Sequence, residues 1–151
     1  MNGPTDLCNN AALRQATRRM GQLYDDAIAP TGLRATQHGM LTQIDFMQQP
    51  TMRELAEALV MDLSALGHTL KPLMRDGLVE LTPDENDRRA KRVRLTTMGK
   101  AKFQQALQLW RVVQGRFEAA FGRERAAELR STLNFIASDE FVAAFRQKRD
   151  T

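Results

Sequence analysis

Cysteine is nearly absent from this chain. Cys8 stands alone, so no internal disulfide can form, and the fold must rest on a packed core. Histidine is almost as scarce: His38 and His68 lie far apart in sequence and far from Cys8. No cluster of Cys, His and carboxylates has zinc-ligand spacing, so no metal is expected. There is no G-x-S-x-G elbow, no phosphate-cradling glycine loop and no H-E-x-x-H, and catalysis and a cofactor are therefore not expected. No apolar run approaches the roughly 20 residues needed to span a bilayer. Residues 1–10 carry neither a basic n-region nor an apolar h-region, so a cytoplasmic protein without membrane contact is expected.

What is present is ordinary globular material. The 151 residues are 42% hydrophobic and 26% charged, enough for one domain with a real core. Basic residues outnumber acidic ones by 22 to 18, and their placement decides what the small excess means.

Periodicity divides the chain. Leu13, Ala16, Met20, Leu23 and Ala27 form one stripe of a long helix over 7–28, stopped by Pro30 and Gly32. A second helix over 35–49 turns Met40, Leu41, Ile44 and Met47 inward, and Pro50 ends it. Thr51 and Glu54 spell a capping box for a short helix that carries Leu55, Ala58 and Leu59 on one face. Asp62 caps a fourth helix to about Asp76, in which Leu63, Leu66, Leu70 and Leu73 point inward and Pro72 loosens the last turn. The period becomes two at Val79 and Leu81 and again at Val93 and Leu95, which predicts a β-hairpin with a charged loop of about ten residues. Helical spacing returns over 97–121, through Phe103, Leu107, Trp110, Phe117 and Phe121. A last helix over 124–147 carries Leu129, Leu133, Ile136, Phe141 and Phe145 on its apolar face.

The predicted fold class is mainly α with a small β-hairpin. A single domain over 1–151 holds a winged helix-turn-helix lobe at 31–96, flanked by dimerisation helices at 7–29 and 97–147. In such a lobe the second helix of the pair enters the major groove of DNA. With the leucines inward, Ser64, Ala65, Gly67, His68 and Lys71 remain to meet it: small residues for close approach, hydrogen-bonding groups for base edges, and a cation for a phosphate or guanine. The hairpin reads DRRAKRVRLT at 87–96, and five of the seven residues from Arg88 to Arg94 are basic. Alternation sends Val93 and Leu95 to the core. Arg88, Arg89 and Lys91 then lie at or near the tip, with Arg92 and Arg94 on the face opposite the core. Such an arm suits a narrow minor groove, where the negative potential is enhanced.

Three stretches carry a resemblance: T-M-R-E-L-A-E-A-L-V-M-D at 51–62, L-x-x-D-G-L-V at 73–79 and D-x-R…V-x-L-T-x-x-G at 87–99. On these the chain resembles the multiple-antibiotic-resistance regulator (MarR) family of dimeric winged-helix transcription factors, from about Leu7 to Arg146. The resemblance implies that Arg89 reaches the minor groove and that Asp87 orients the wing. It places His68 where related recognition helices often carry an arginine. It also implies a homodimer on a pseudo-palindromic operator, with the terminal helices of two subunits interlocked. The large apolar side chains Phe117, Phe121, Leu129, Leu133, Phe141 and Phe145 agree independently, being too many to leave in water.

Two switches are consistent with this reading. The resemblance implies a repressor released by a small aromatic or phenolic acid bound in a crevice, for which Met20, Tyr24, His38, Met40 and Trp110 are candidate lining residues. Alternatively, Cys8 at the start of the first helix, with Arg14 further along, is a redox-sensing thiol. A winged helix that binds protein and reads no DNA sequence is the third reading; it expects a neutral wing, which the basic tip opposes.

Overall fold

The computed structural model describes residues 7–147. Seven α-helices and one hairpin follow in order: α1 Asn9–Ile28, α2 Ala35–Met47, α3 Met52–Ala58, α4 Leu63–Arg75, β1 Val79–Pro83, β2 Lys91–Leu95, α5 Thr97–Phe121, α6 Arg123–Ile136 and α7 Asp139–Arg146. Among the described residues no helix is long and apolar enough to cross a membrane. The chain divides after Arg111, within α5, into two compact units. The lobe expected at 31–96 therefore shares its unit with α1 and the first half of α5.

Local chemistry sets the boundaries in the first unit. A 3-10 turn at Ala29–Thr31 ends α1, and Gly32 takes a left-handed conformation at φ 75°. Arg34 offers no acceptor to cap α2, so the Ala35 amide donates to Asp25 Oδ1 at 2.6 Å, reaching back to α1. The capping box of α3 is formed: Thr51 N–H donates to Glu54 Oε2 at 2.7 Å and Glu54 N–H to Thr51 Oγ1 at 3.2 Å. Asp62 caps α4 by accepting from Ala65 N–H at 2.7 Å. Pro72 leaves α4 helical to Arg75, and Gly77 at φ 71° turns the chain into β1.

The two strands pair antiparallel, from Val79 opposite Leu95 to Pro83 opposite Lys91. The other edge of β2 is tied to the segment before α3: Val93 N–H donates to Pro50 O at 2.8 Å, and Thr51 bridges Arg92. One core runs through this unit, from Ile28 and Leu41 past Leu55, Leu66, Leu70 and Leu73 to Val93 and Phe103.

Several inward assignments change. Leu63 is 50% exposed, because the first turn of α4 lies beyond the core's edge. Leu81 is also exposed, two residues nearer the hairpin's loop than the buried Val79. In α3 it is Ala56, not Ala58, that is buried with Leu55. The expected last helix is two helices, broken where Ser138 accepts from Phe141 N–H at 3.2 Å and caps α7. In the second unit Phe135 and Phe145 sit against Phe141 with ring centroids 5.5 and 6.0 Å away, and Arg125 lies 4.5 Å over Phe121. Leu129, Leu133, Phe135, Val142 and Phe145 are exposed within one chain, Phe145 at 79%.

Candidate functional site

Helix α4 carries the face expected to read DNA. Ser64, His68 and Lys71 are exposed at helical spacing, while Ala65 and Gly67 are half-buried beside them. Seven residues at about 1.5 Å rise spread the three polar groups over roughly 10 Å, which a major groove about 12 Å wide accommodates. Arg75 continues the same row one turn on, paired with its neighbour Asp76 at 3.1 Å. Arg75 lies outside the expected set, although its four-residue spacing from Lys71 is visible in the sequence.

The hairpin's cations fall into two groups. Arg88, Arg89 and Lys91 are exposed around the tip and make no ion pair among the described residues. Arg92, expected as a DNA contact, is engaged within the fold. Its Nε meets Asp84 Oδ2 at 2.5 Å and its Nη1 donates to Gln49 O at 2.8 Å, so the guanidinium braces the wing against the segment ahead of α3. Arg94 faces out with Glu80 at 2.8 Å.

The brace uses a different aspartate from the expected wing-orienting Asp87. Asp87 was expected to orient the wing; it is exposed, its carboxylate accepts from Arg89 N–H at 2.9 Å and its carbonyl from Ala90 N–H at 2.9 Å, which shapes the tip. Asp84 is the anchored carboxylate, 7% exposed, accepting from Asn86 N–H at 2.7 Å and Asp87 N–H at 2.9 Å besides its pair with Arg92. Those two amides, and then Arg92, hold its carboxyl below the usual aspartate range. The Thr51 amide and hydroxyl do the same for Glu54. A proline-bordered acidic loop gave no sign of which aspartate is anchored, since Gln49 comes from 43 residues earlier.

Between the wing and the starts of α3 and α4 lies an open hollow of about 640 Å³, lined by Thr51, Met52, Arg53, Leu63, Asp87, Arg89, Ala90 and Lys91. Arg53 was not among the expected contacts. A cation in the first turn of a helix opposes the helix dipole, and that local cost was the available signal.

A second, half-open hollow of about 220 Å³ is lined by Tyr24 and Ile28 of α1, Ala35, His38, Gly39 and Thr42 of α2, and Leu107 and Trp110 of α5. Three of the five residues expected to line a crevice meet here. Met40 does not: it is in the core at 4% exposure. Met20 is half-buried further up α1, outside the lining. His38 is 5% exposed and stacks on Phe103 with ring centroids 5.8 Å apart. Its Nδ1 is buried without a hydrogen-bond partner, and burial pushes the imidazole pKa down. Cys8 is exposed just ahead of α1, and its side chain makes no capping hydrogen bond.

A sequence model of the MarR family matches residues 31–90. The multiple antibiotic resistance protein MarR of Escherichia coli (strain K12) is 32% identical over 114 residues, which cover 72% of this chain and 79% of that protein. The M. tuberculosis transcriptional regulator MosR, solved in complex with DNA, superposes with a TM-score of 0.80 at 34% identity, over 93% of this chain and 99% of that one. The transcriptional repressor CouR, bound to a 23-mer DNA duplex, gives a TM-score of 0.80 at 26% identity, over 90% and 96%. The matched region holds α2 to α4 and the wing tip, and the relative's identity extends well beyond it. The chain belongs to the MarR family of winged-helix regulators.

Proposed function

We propose that this protein is a DNA-binding transcription regulator, not an enzyme, acting in the cytoplasm as a homodimer on an inverted-repeat operator. The observation that carries this reading is the pairing, within one unit, of an exposed polar row on α4 with a wing tip whose Arg88, Arg89 and Lys91 make no ion pair among the described residues. Three cations left unneutralised beside a helix-turn-helix suit a polyanion, and the structural likeness to DNA-bound MosR and CouR supports the same partner.

The roles divide by chemistry. Ser64 and His68 reach base edges, with Ala65 and Gly67 admitting the helix backbone, and Lys71 takes a guanine or a phosphate. Arg88 and Arg89 enter the minor groove; Lys91, Arg53 and Arg75 meet phosphates. Homodimerisation covers Leu129, Leu133, Phe135, Val142 and Phe145, which one chain leaves in water. One recognition helix per chain then implies two half-sites about one helical turn apart. The protein acts as a repressor whose DNA affinity falls when a small aromatic molecule enters the hollow around His38.

Selection of bound fragments from the host genome tests this. Recovered fragments sharing an inverted repeat are the expected result; no enrichment over random fragments would overturn the reading.

A further inference from the structure

We infer that Leu63 is a specificity-determining residue that reads the C5 methyl group of one thymine in each half-site. This rests on the DNA-reading proposal above and deepens it, adding a base feature that the polar row of α4 does not recognise.

Leu63 stands outside the core that its own helix builds. Leu66, Leu70 and Leu73 of α4 are at 0% exposure, whereas Leu63 is 50% exposed. It is the first residue of α4, directly after the capping Asp62. Side chains tilt toward the N-terminus of their helix, so a leucine at this position projects past the helix end. In a helix-turn-helix the N-terminal residues of the second helix are the ones that meet base edges. Gly67, one turn on, carries no side chain to shield Leu63, and a Cβ added there would meet nothing within 4 Å.

The surroundings give its direction. Leu63 lines the open hollow of about 640 Å³ between the wing and the starts of α3 and α4, together with Arg53, Arg89 and Lys91. Met52, also in that wall, packs against the core. An aliphatic side chain thus stands beside three cations that make no ion pair among the described residues. Such cations draw in the phosphates that wall a groove, and phosphate contacts carry no direct sequence information. The leucine has nothing to offer a phosphate and is left for the bases.

Chemistry selects the base. In the major groove guanine, cytosine and adenine present donors and acceptors, and thymine alone adds a methyl group. A leucine pressed on a polar edge strips its water and returns no hydrogen bond, which costs affinity. Against a thymine methyl it buries apolar surface on both partners. Five residues at about 1.5 Å rise separate Leu63 from His68, so their two contacts fall within about two base pairs of each other.

Fluorescence anisotropy of the full-length protein with a duplex selected from random-sequence DNA tests this. The probe is that duplex with deoxyuridine in place of thymine, one symmetric pair at a time, which deletes the methyl and keeps the base-pairing hydrogen bonds. At one pair, within about two base pairs of the position whose preference shifts in His68→Ala, affinity should fall about fourfold per methyl and roughly fifteenfold for both. That is the scale of one buried methyl group per half-site. Leu63→Ala should bind the thymine and deoxyuridine duplexes equally, while Leu63→Met, which keeps an apolar reach, should retain most of the preference. Cytosine at that pair should bind better once C5-methylated, in the parent protein and not in Leu63→Ala. Deoxyuridine that leaves binding unchanged at every thymine, or a methyl preference undiminished in Leu63→Ala, would overturn the inference while DNA binding itself stands. Failure to select any duplex would overturn the DNA-reading proposal, and this inference with it.

Discussion

Arg92 and Arg94 sit two residues apart on one strand, and the structure gives them different work. Arg92 donates to the Gln49 carbonyl and pairs with the anchored Asp84; Arg94 meets only Glu80 at the surface. A charge-assisted bond is worth about 1.5–3 kcal/mol, and partial exposure of Arg92 places the Gln49 bond at about 1.5 kcal/mol. Loss of the cation facing Asp84 acts in the same direction. For a chain of this size Arg92→Ala should lower Tm by at least roughly 3–6 °C, measured at fixed protomer concentration. Arg94→Ala removes an exposed pair and should cost less than about 0.5 kcal/mol. DNA titrations at stepped salt complete the test. A brace that is lost weakens binding with an unchanged salt slope, whereas a lost phosphate contact flattens the slope by about 0.9. Equal Tm losses in the two variants, or a flattened slope for Arg92→Ala, would refute the brace.

Arg89→Ala should lose about 1–3 kcal/mol of DNA affinity with relaxed preference at A·T-rich positions, while Lys91→Ala should reduce the salt slope by about one, both read by fluorescence anisotropy. Gly99→Ala places a Cβ 1.9 Å from the Leu78 carbonyl oxygen, so α5 must move off the residue that leads into β1; denaturant unfolding should show a loss of about 3 kcal/mol, and a loss under about 1 would contradict the close approach. Val60 holds φ 54° in the turn between α3 and α4, a left-handed conformation costing roughly 1–2 kcal/mol, so Val60→Gly should raise stability by about 0.5–1 kcal/mol after glycine's own entropy cost. Asp84 and Glu54 are held below their ordinary values of 3.8 and 4.5, so their stabilisation is complete above those values and is lost as pH falls from them through the lower values of the folded protein. Tm should therefore fall below about pH 5, and Asp84→Asn should flatten that fall; an unchanged acid limb would remove Asp84 from the account.

What the sequence disclosed was local. Thr51 with Glu54, and Asp62 ahead of α4, name their helix starts because each cap is completed within three residues. The hairpin was legible because Val93 and Leu95 alternate with cations. Ser138 with Asp139 and Glu140 behind it also carried a helix-start signal, and the continuous apolar stripe from Leu129 to Phe145 masked it. Leu63 kept the leucine period of α4, but periodicity reports direction around a helix and not where the core ends. The Asp84–Arg92–Gln49 brace was out of reach, since its partners are joined only by the return of β2 to the segment before α3. The same limit applies to His38: its place on α2 was readable, while its lack of a partner depends on Phe103, Leu107 and Trp110 arriving from α5.

The central claim is that α4 and the wing together read duplex DNA, two copies at a time. A hydroxyl-radical and base-methylation footprint on a selected genomic fragment tests it most directly. The account predicts major-groove protection at two half-sites about one helical turn apart, each flanked by a minor-groove protection that disappears in Arg89→Ala. A single protected half-site, or minor-groove protection that persists without Arg89, would contradict it.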